Sequence, residues 1–179
     1  PLLLDMQTIL STSKNPFWKH ADAEHYLAVD ESTRAVKGRI SAIVNRSHNE
    51  MHAEKAVFFG FFESVADPAV ALALFRAVEE YGKRAGTTIV RGPANPSMND
   101  PVGLLVQGFD TAPAVLMTYN PPYYETLIRG GGFSKSIDLL AWEVGKGTPE
   151  RLSRAAEIVR KRHPEIRVRS VDMKNFKDE

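Results

Sequence analysis

One stretch constrains the fold more than any other: residues 56–86, an apolar strand, a short loop and a long helix. The strand, Ala56 to Glu63, reads AVFFGFFE and has no wet face. A strand of that composition is covered on both sides, so it belongs at the centre of a sheet with helices above and below. Asp67 and Pro68 open the helix, one as an N-cap and the other as a first-turn residue. Val70, Leu74, Ala77, Val78 and Tyr81 recur at helical spacing, and Gly86 is placed to end the helix.

The neighbouring segments fit around that unit. Residues 1–24 read as a helical lead-in ending in a loop, broken at Asn15-Pro16. Glu24 to Asp30 and Val36 to Asn45 form a predicted hairpin, the second strand alternating like a half-buried one. Arg46 to Lys55 is polar, with His48 and His52 four apart. Thr87 to Arg91 is a β-branched strand. A long stretch rich in Gly, Pro and Asn follows, and long ordered loops tend to carry function. Val115 to Tyr119 and Ser136 to Val144 read as strands flanking a helix that Asn120, Pro121 and Pro122 would start and the glycine run 130–132 would stop. Thr148-Pro149-Glu150 opens a last helix, and Glu165 to Val171 reads as a final strand. The expected class is α/β (α+β): one mixed, mostly antiparallel twisted sheet with helices on both faces. Residues 1–147 form the predicted main domain. Residues 148–179 supply a helix, a strand and a linker, or the start of a second domain. The first residue is Pro1, which suggests a fragment of a longer protein.

Composition narrows the function classes. The 179 residues are 43% hydrophobic and 25% charged, which suits a folded domain of ordinary size. No apolar run approaches the ~20 residues of a membrane helix, so no membrane partner is expected. The net charge of +1 argues against a dedicated nucleic-acid binder. The basic run RKRHPEIRVR is followed by the mixed DMKNFKDE and reads as a solvated surface. There is no cysteine, so disulfides, thiolate metal sites and cysteine nucleophiles are excluded. That fits a reducing cytosol, and a cytoplasmic location is expected.

The element order, with Gly38-Arg39-Ile40 opening the second hairpin strand and Asn120, a short helix, Gly132-Phe133 and SIDLLAW, resembles the GNAT (Gcn5-related N-acetyltransferase) superfamily. The resemblance covers about Glu24 to Val144. The segments NPFWKHADAEHYLA, FFGFFE, RGPANPSMND and YNPPYY are similar to those of a bacterial group with two such domains in tandem. The resemblance implies transfer of an acyl group from acetyl-CoA or another acyl-CoA to a small-molecule amine, without a metal. It implies a second GNAT domain in cis and leaves room for a homo-oligomer. The acyl carbonyl would meet strand N–H groups near splayed central strands, a base would take the amine proton, and an acid would protonate the leaving thiolate.

Carried over residue by residue, the resemblance makes Glu63, at the end of the central strand, the candidate base, unless it is simply a solvated strand end. The usual tyrosine acid is replaced by Ile128, and Tyr123 or Tyr124 would have to substitute from one turn away, unless both simply pack on the sheet. The donor would lie along Phe62, Glu63, Ser64 and Val65, with Asn95 and Asn99 of the long loop and Asn120 at the next helix start. The phosphate loop is the departure: Ser64 to Ala71 reads SVADPAVA, with no glycine and no arginine. Asp67 puts negative charge where pyrophosphate would sit, and Pro68 removes a donor. The same residues make an ordinary helix cap. Asn95, Ser97, Asn99 and Asp100 suit either a pocket wall or self-satisfied tight turns. His48, His52 and Glu54 are too few to specify a metal site. Two functions remain open, an acyl-CoA N-acyltransferase domain and a non-catalytic GNAT-fold ligand-binding or scaffold domain beside an active second one.

Overall fold

The computed structural model describes residues 3–97, 99–142, 147 and 149–175. The chain falls into two compact units, Pro1–Leu139 and Leu140–Glu179. The first holds α1 (Leu3–Leu10), a 3-10 turn (Pro16–Lys19), β1 (Ala21–Val29), β2 (Val36–Asn45), α2 (Arg46–His52), β3 (Ala56–Ser64), α3 (Pro68–Arg84), β4 (Ile89–Arg91) and α4 (Tyr124–Gly130). The second holds α5 (Glu150–Arg162). The sheet order is β1-β2-β3-β4; the first two pairings are antiparallel and β3–β4 is parallel. This is the expected mixed α+β class, with the apolar β3 inside the sheet.

Alternation along β2 sorts its side chains between two cores. Ile40 and Ala42 face α3 and α4, where Phe59, Phe62, Leu74, Phe75, Val78 and Leu127 are buried with them. Ile43 points the other way, with Ala21 and Phe61, under Met6, Ile9, Phe17 and Trp18. Helices therefore cover both faces. The Phe59, Phe75 and Phe133 rings meet with centroids 4.9 to 5.6 Å apart, and Phe62 stacks on Phe75 at 5.1 Å. Burying each such ring contributes about 1.5–3 kcal/mol. The Trp18 indole N–H and the Asn15 amide both donate to the carbonyl of Ile9, at 2.8 and 2.9 Å, and so fasten the end of α1.

A β-bulge breaks the period of β3. Arg39 pairs with Glu63 and Ser41 with Gly60, so two steps on β2 match three on β3. The extra residue is taken up at Phe61, whose φ is +51°. Because of it, Phe59 and Phe62 enter the same core although three apart, and Phe61 reaches the opposite one. A run of apolar residues with no polar face hides such a shift from sequence reading.

One segment read only as polar takes a definite form, and three expected strands do not form among the described residues. Arg46–His52 is a helix, capped by Asn45 Oδ1 accepting from His48 N at 3.1 Å. Val115 to Tyr119 is not a strand: Val115 and Leu116 form a turn, Leu116 at φ +65°, and Thr118 ties to the Val102 carbonyl through its hydroxyl. Residues 136–142 form no strand either; Glu143 and Val144 of that expected strand, and Thr148 of the expected helix opening, lie outside the described residues. Glu165 to Val171 likewise forms no strand. A β pattern becomes a strand only beside another strand, and none of the three is part of a ladder among the described residues.

Candidate functional site

Two features of β3 shape the site: its parting from β4 and its C-terminal end. β3 and β4 pair only from Ala56↔Ile89 to Phe58↔Arg91. The chain then crosses over the bulge. The Ala94 N–H donates to the Phe59 carbonyl at 2.9 Å, and Asn95 Oδ1 accepts from Phe61 N at 2.5 Å. Gly60 permits this approach, because a Cβ there would lie 1.9 Å from the Ala94 carbonyl oxygen.

At its other end, β3 meets the start of α4. The Tyr124 hydroxyl accepts from Ser64 N and donates to Glu63 Oε2, both at 3.1 Å. The neighbouring Tyr123 hydroxyl donates to the Ser64 carbonyl at 2.8 Å. The two tyrosines thus hold both backbone groups of one strand-end residue. Burial, with the Glu63 charge adding to it, pushes the Tyr124 phenol up to about 12. It therefore stays protonated at neutral pH and is a poor acid towards a thiolate. Its geometry is that of a positioning group for Glu63.

Glu63 itself is open to solvent. Its side chain is 60% exposed and stands 3.5 Å from the guanidinium of Arg39 on β2. Arg39, Lys37, Glu63, Val65 and the two tyrosines line a groove of about 330 Å³. A second hollow of about 290 Å³, bounded by Asp30, Asp67 and Val70, shares Lys37 and Val65 with it. The groove so continues towards the start of α3.

Of the predicted site residues, Glu63, Ser64, Val65, Tyr123 and Tyr124 come together here. The others lie elsewhere or are already engaged. Phe62 is buried in the core and is not among the groove residues. Asn95 is committed to the bulge. Asn99 sits in a turn in which its N–H and the Asp100 carboxylate both bond the Ser97 hydroxyl, so the self-satisfied turn is the form found. Asn120 is no helix cap: its side chain pairs with both the N–H and the carbonyl of Leu105, and Tyr123 precedes α4 without a side-chain cap bond. Sequence reasoning missed Lys37 and Arg39 as groove residues. The signal was there, since β2 alternation puts Arg39 opposite the end of β3.

The donor expectation meets a specific obstacle. Asp67 Oδ1 accepts from Ala69 N at 2.8 Å and Pro68 has no N–H, so the first turn of α3 is already filled by a carboxylate. Both features are electrostatically and sterically adverse to an anion at that helix start. The strand N–H groups of Phe61 and Ser64 are also taken, by Asn95 and Tyr124. Away from the groove, Glu54 accepts a two-point contact from Arg91 and a bond from His48, which together hold its carboxyl below the usual range. No cluster of three or more metal-ligating side chains occurs among the described residues.

The whole chain is 31% identical to protein YghO of Escherichia coli, over 182 aligned residues that make up 45% of that protein. Over 144 residues, 80% of this chain and 37% of the relative, it is 38% identical to the bacterial ceramide synthase of Caulobacter vibrioides. The chain therefore spans less than half the length of either. No family model matches, and no solved structure matches.

Proposed function

We propose that this chain is a GNAT-type domain of an amide-forming N-acyltransferase, with the groove at the end of β3 receiving the acceptor amine. The observation that carries this reading is the 38% identity to a ceramide synthase across 80% of the chain. Ceramide is the amide of a fatty acid with a long-chain amino alcohol, so an enzyme that makes it joins an acyl carbon to an amine nitrogen. The fold is compatible with a GNAT sheet, and the groove offers a matching group. A protonated amine entering beside Glu63 would find a carboxylate held in place by Tyr124. Glu63 would take one ammonium proton and free the lone pair that attacks the acyl carbon; the C–N bond would form as the C–S bond to coenzyme A breaks, and the departing thiolate would leave as the free thiol with the second proton that the nitrogen gives up. Arg39 would hold the carboxylate on its other side.

The same geometry argues that the acyl donor is not seated by its phosphates on α3. That favours a second reading, in which this domain binds substrate or serves as scaffold while a second domain in cis holds an acyl-CoA. The specific observation behind it is the Asp67 carboxylate on Ala69 N.

The test is an assay of the chain with a long-chain amino alcohol and a fatty acyl-CoA, read by mass spectrometry for the amide. Product formation that drops about 100-fold in Glu63→Gln, with an unchanged circular dichroism spectrum, supports the first reading. Product formation indifferent to Glu63→Gln removes Glu63 as the base. No product from the chain, together with no heat of binding for acyl-CoA, leaves the scaffold reading.

A further inference from the structure

α5 is a basic amphipathic helix whose thirteen residues are all exposed, Leu152 at 60% and Val159 at 48%. At 100° per residue, Leu152, Ala155, Ala156 and Val159 fall within one arc of roughly 100°. Arg151 and Arg162 border that arc on one side and Arg160 on the other. Glu150 and Glu157 fall on the opposite face, where Glu150 pairs with Arg154. Cations thus edge the apolar stripe while the acids stand away from it. The excess continues past the helix: residues 149–175 carry eight Lys and Arg against four Asp and Glu, in a chain whose net charge is only +1. In the segment after the helix, Ile166 and Val168 are 58% and 98% exposed.

We infer that α5 is a docking surface for an anionic lipid bilayer, lying in the headgroup plane with Leu152 and Val159 towards the acyl chains. Charge complementarity decides between occupants. A stripe meant for another protein's core has no need of arginine on both borders, whereas a headgroup layer offers phosphate on both sides of an inserted stripe. A nucleic acid would match the arginines but leave the stripe in water. The helix lies on the surface and does not span: no helix among the described residues is long and apolar enough to cross a membrane. This inference goes beyond the proposed acyl transfer and does not depend on it, since its readout is binding.

The test is co-sedimentation of the whole chain with phosphatidylcholine vesicles and with vesicles containing about three-tenths phosphatidylglycerol. The expected result is pelleting with the anionic vesicles only, reversed by high salt. Two variants separate the contributions. Arg151→Gln/Arg160→Gln/Arg162→Gln and Leu152→Ser/Val159→Ser should each weaken binding about tenfold or more. Neither should shift the melting of unit Pro1–Leu139, in which these residues take no part. No pelleting with anionic vesicles overturns the inference. So does pelleting that survives the Leu152→Ser/Val159→Ser change, which would mean charge alone. Competition by a single-stranded oligonucleotide that binds the serine variant as tightly as the wild type would assign α5 to nucleic acid instead.

Discussion

The Tyr124 hydroxyl lies 3.1 Å from Glu63 Oε2 and equally 3.1 Å from the backbone nitrogen of Ser64. One buried phenol, 5% exposed, therefore joins the candidate base to the strand that presents it. Tyr124→Phe keeps the ring in the core but strands the Ser64 N–H. Losing a buried partner in this way costs about 1–3 kcal/mol. Urea denaturation should show that loss, with faster amide exchange at Ser64. A change below about 0.5 kcal/mol would mean that water replaces the phenol and that the junction is not rigid.

Gly60 and Gly86 should respond differently to alanine. At Gly60 the new methyl would sit 1.9 Å from the Ala94 carbonyl oxygen and 3.0 Å from Asn95 Oδ1, so the crossover must move off the strand. We expect a loss of about 4 kcal/mol or more, in the range reserved for disrupted cores. At Gly86 there is open space but a φ of +72°, so only backbone strain of about 1–2 kcal/mol applies. Thermal melts of the two variants check the contrast.

Asn95→Ala removes the acceptor that holds Phe61 N at the bulge. The expected cost is about 1–3 kcal/mol, centred locally. Hydrogen exchange should speed up at Phe61 while the amides of Ile40 and Val57, inside the main core, keep their protection. Equal acceleration at all three would show that the clamp supports the whole sheet and not the bulge alone.

Much of this arrangement was legible in the chain because local signals were strong there. The hairpin strand β2 was recognisable, the apolar β3 had to be central, and Asp67-Pro68 marked the start of α3 to the residue. Glu63, Tyr123 and Tyr124 were brought together by the family resemblance, although the helix starts at Tyr124 and not at Asn120. Other features depended on distant partners. Asn120 carries every mark of a helix cap, yet its amide pairs with Leu105, fifteen residues away. The bulge at Phe61 is invisible in a stretch where both faces are apolar. The three β-patterned segments that form no strand among the described residues show the same limit from the other side: a pattern states which face is apolar, and only a neighbour makes it a strand.

Glu54 supplies a prediction about acid. The Arg91 fork, and after it His48, hold the carboxyl below its ordinary 4.5 in the folded chain. In the unfolded chain the group returns to that value, so the unfolded state binds the proton first as the pH falls. The stabilisation is fully present above 4.5 and drains away below it, as the folded carboxylate is finally protonated. Arg91→Gln removes the largest cause of the depression. The variant should be less stable than the wild type at neutral pH, and the difference between the two should shrink steadily in denaturation series carried from pH 7 to below pH 4. Because Glu54 and Arg91 are partly exposed, at 27% and 38% of their side-chain surface, added salt should shrink the same difference at neutral pH. A difference that stays constant across the acid range would mean that Arg91 acts through packing and not through its charge on Glu54.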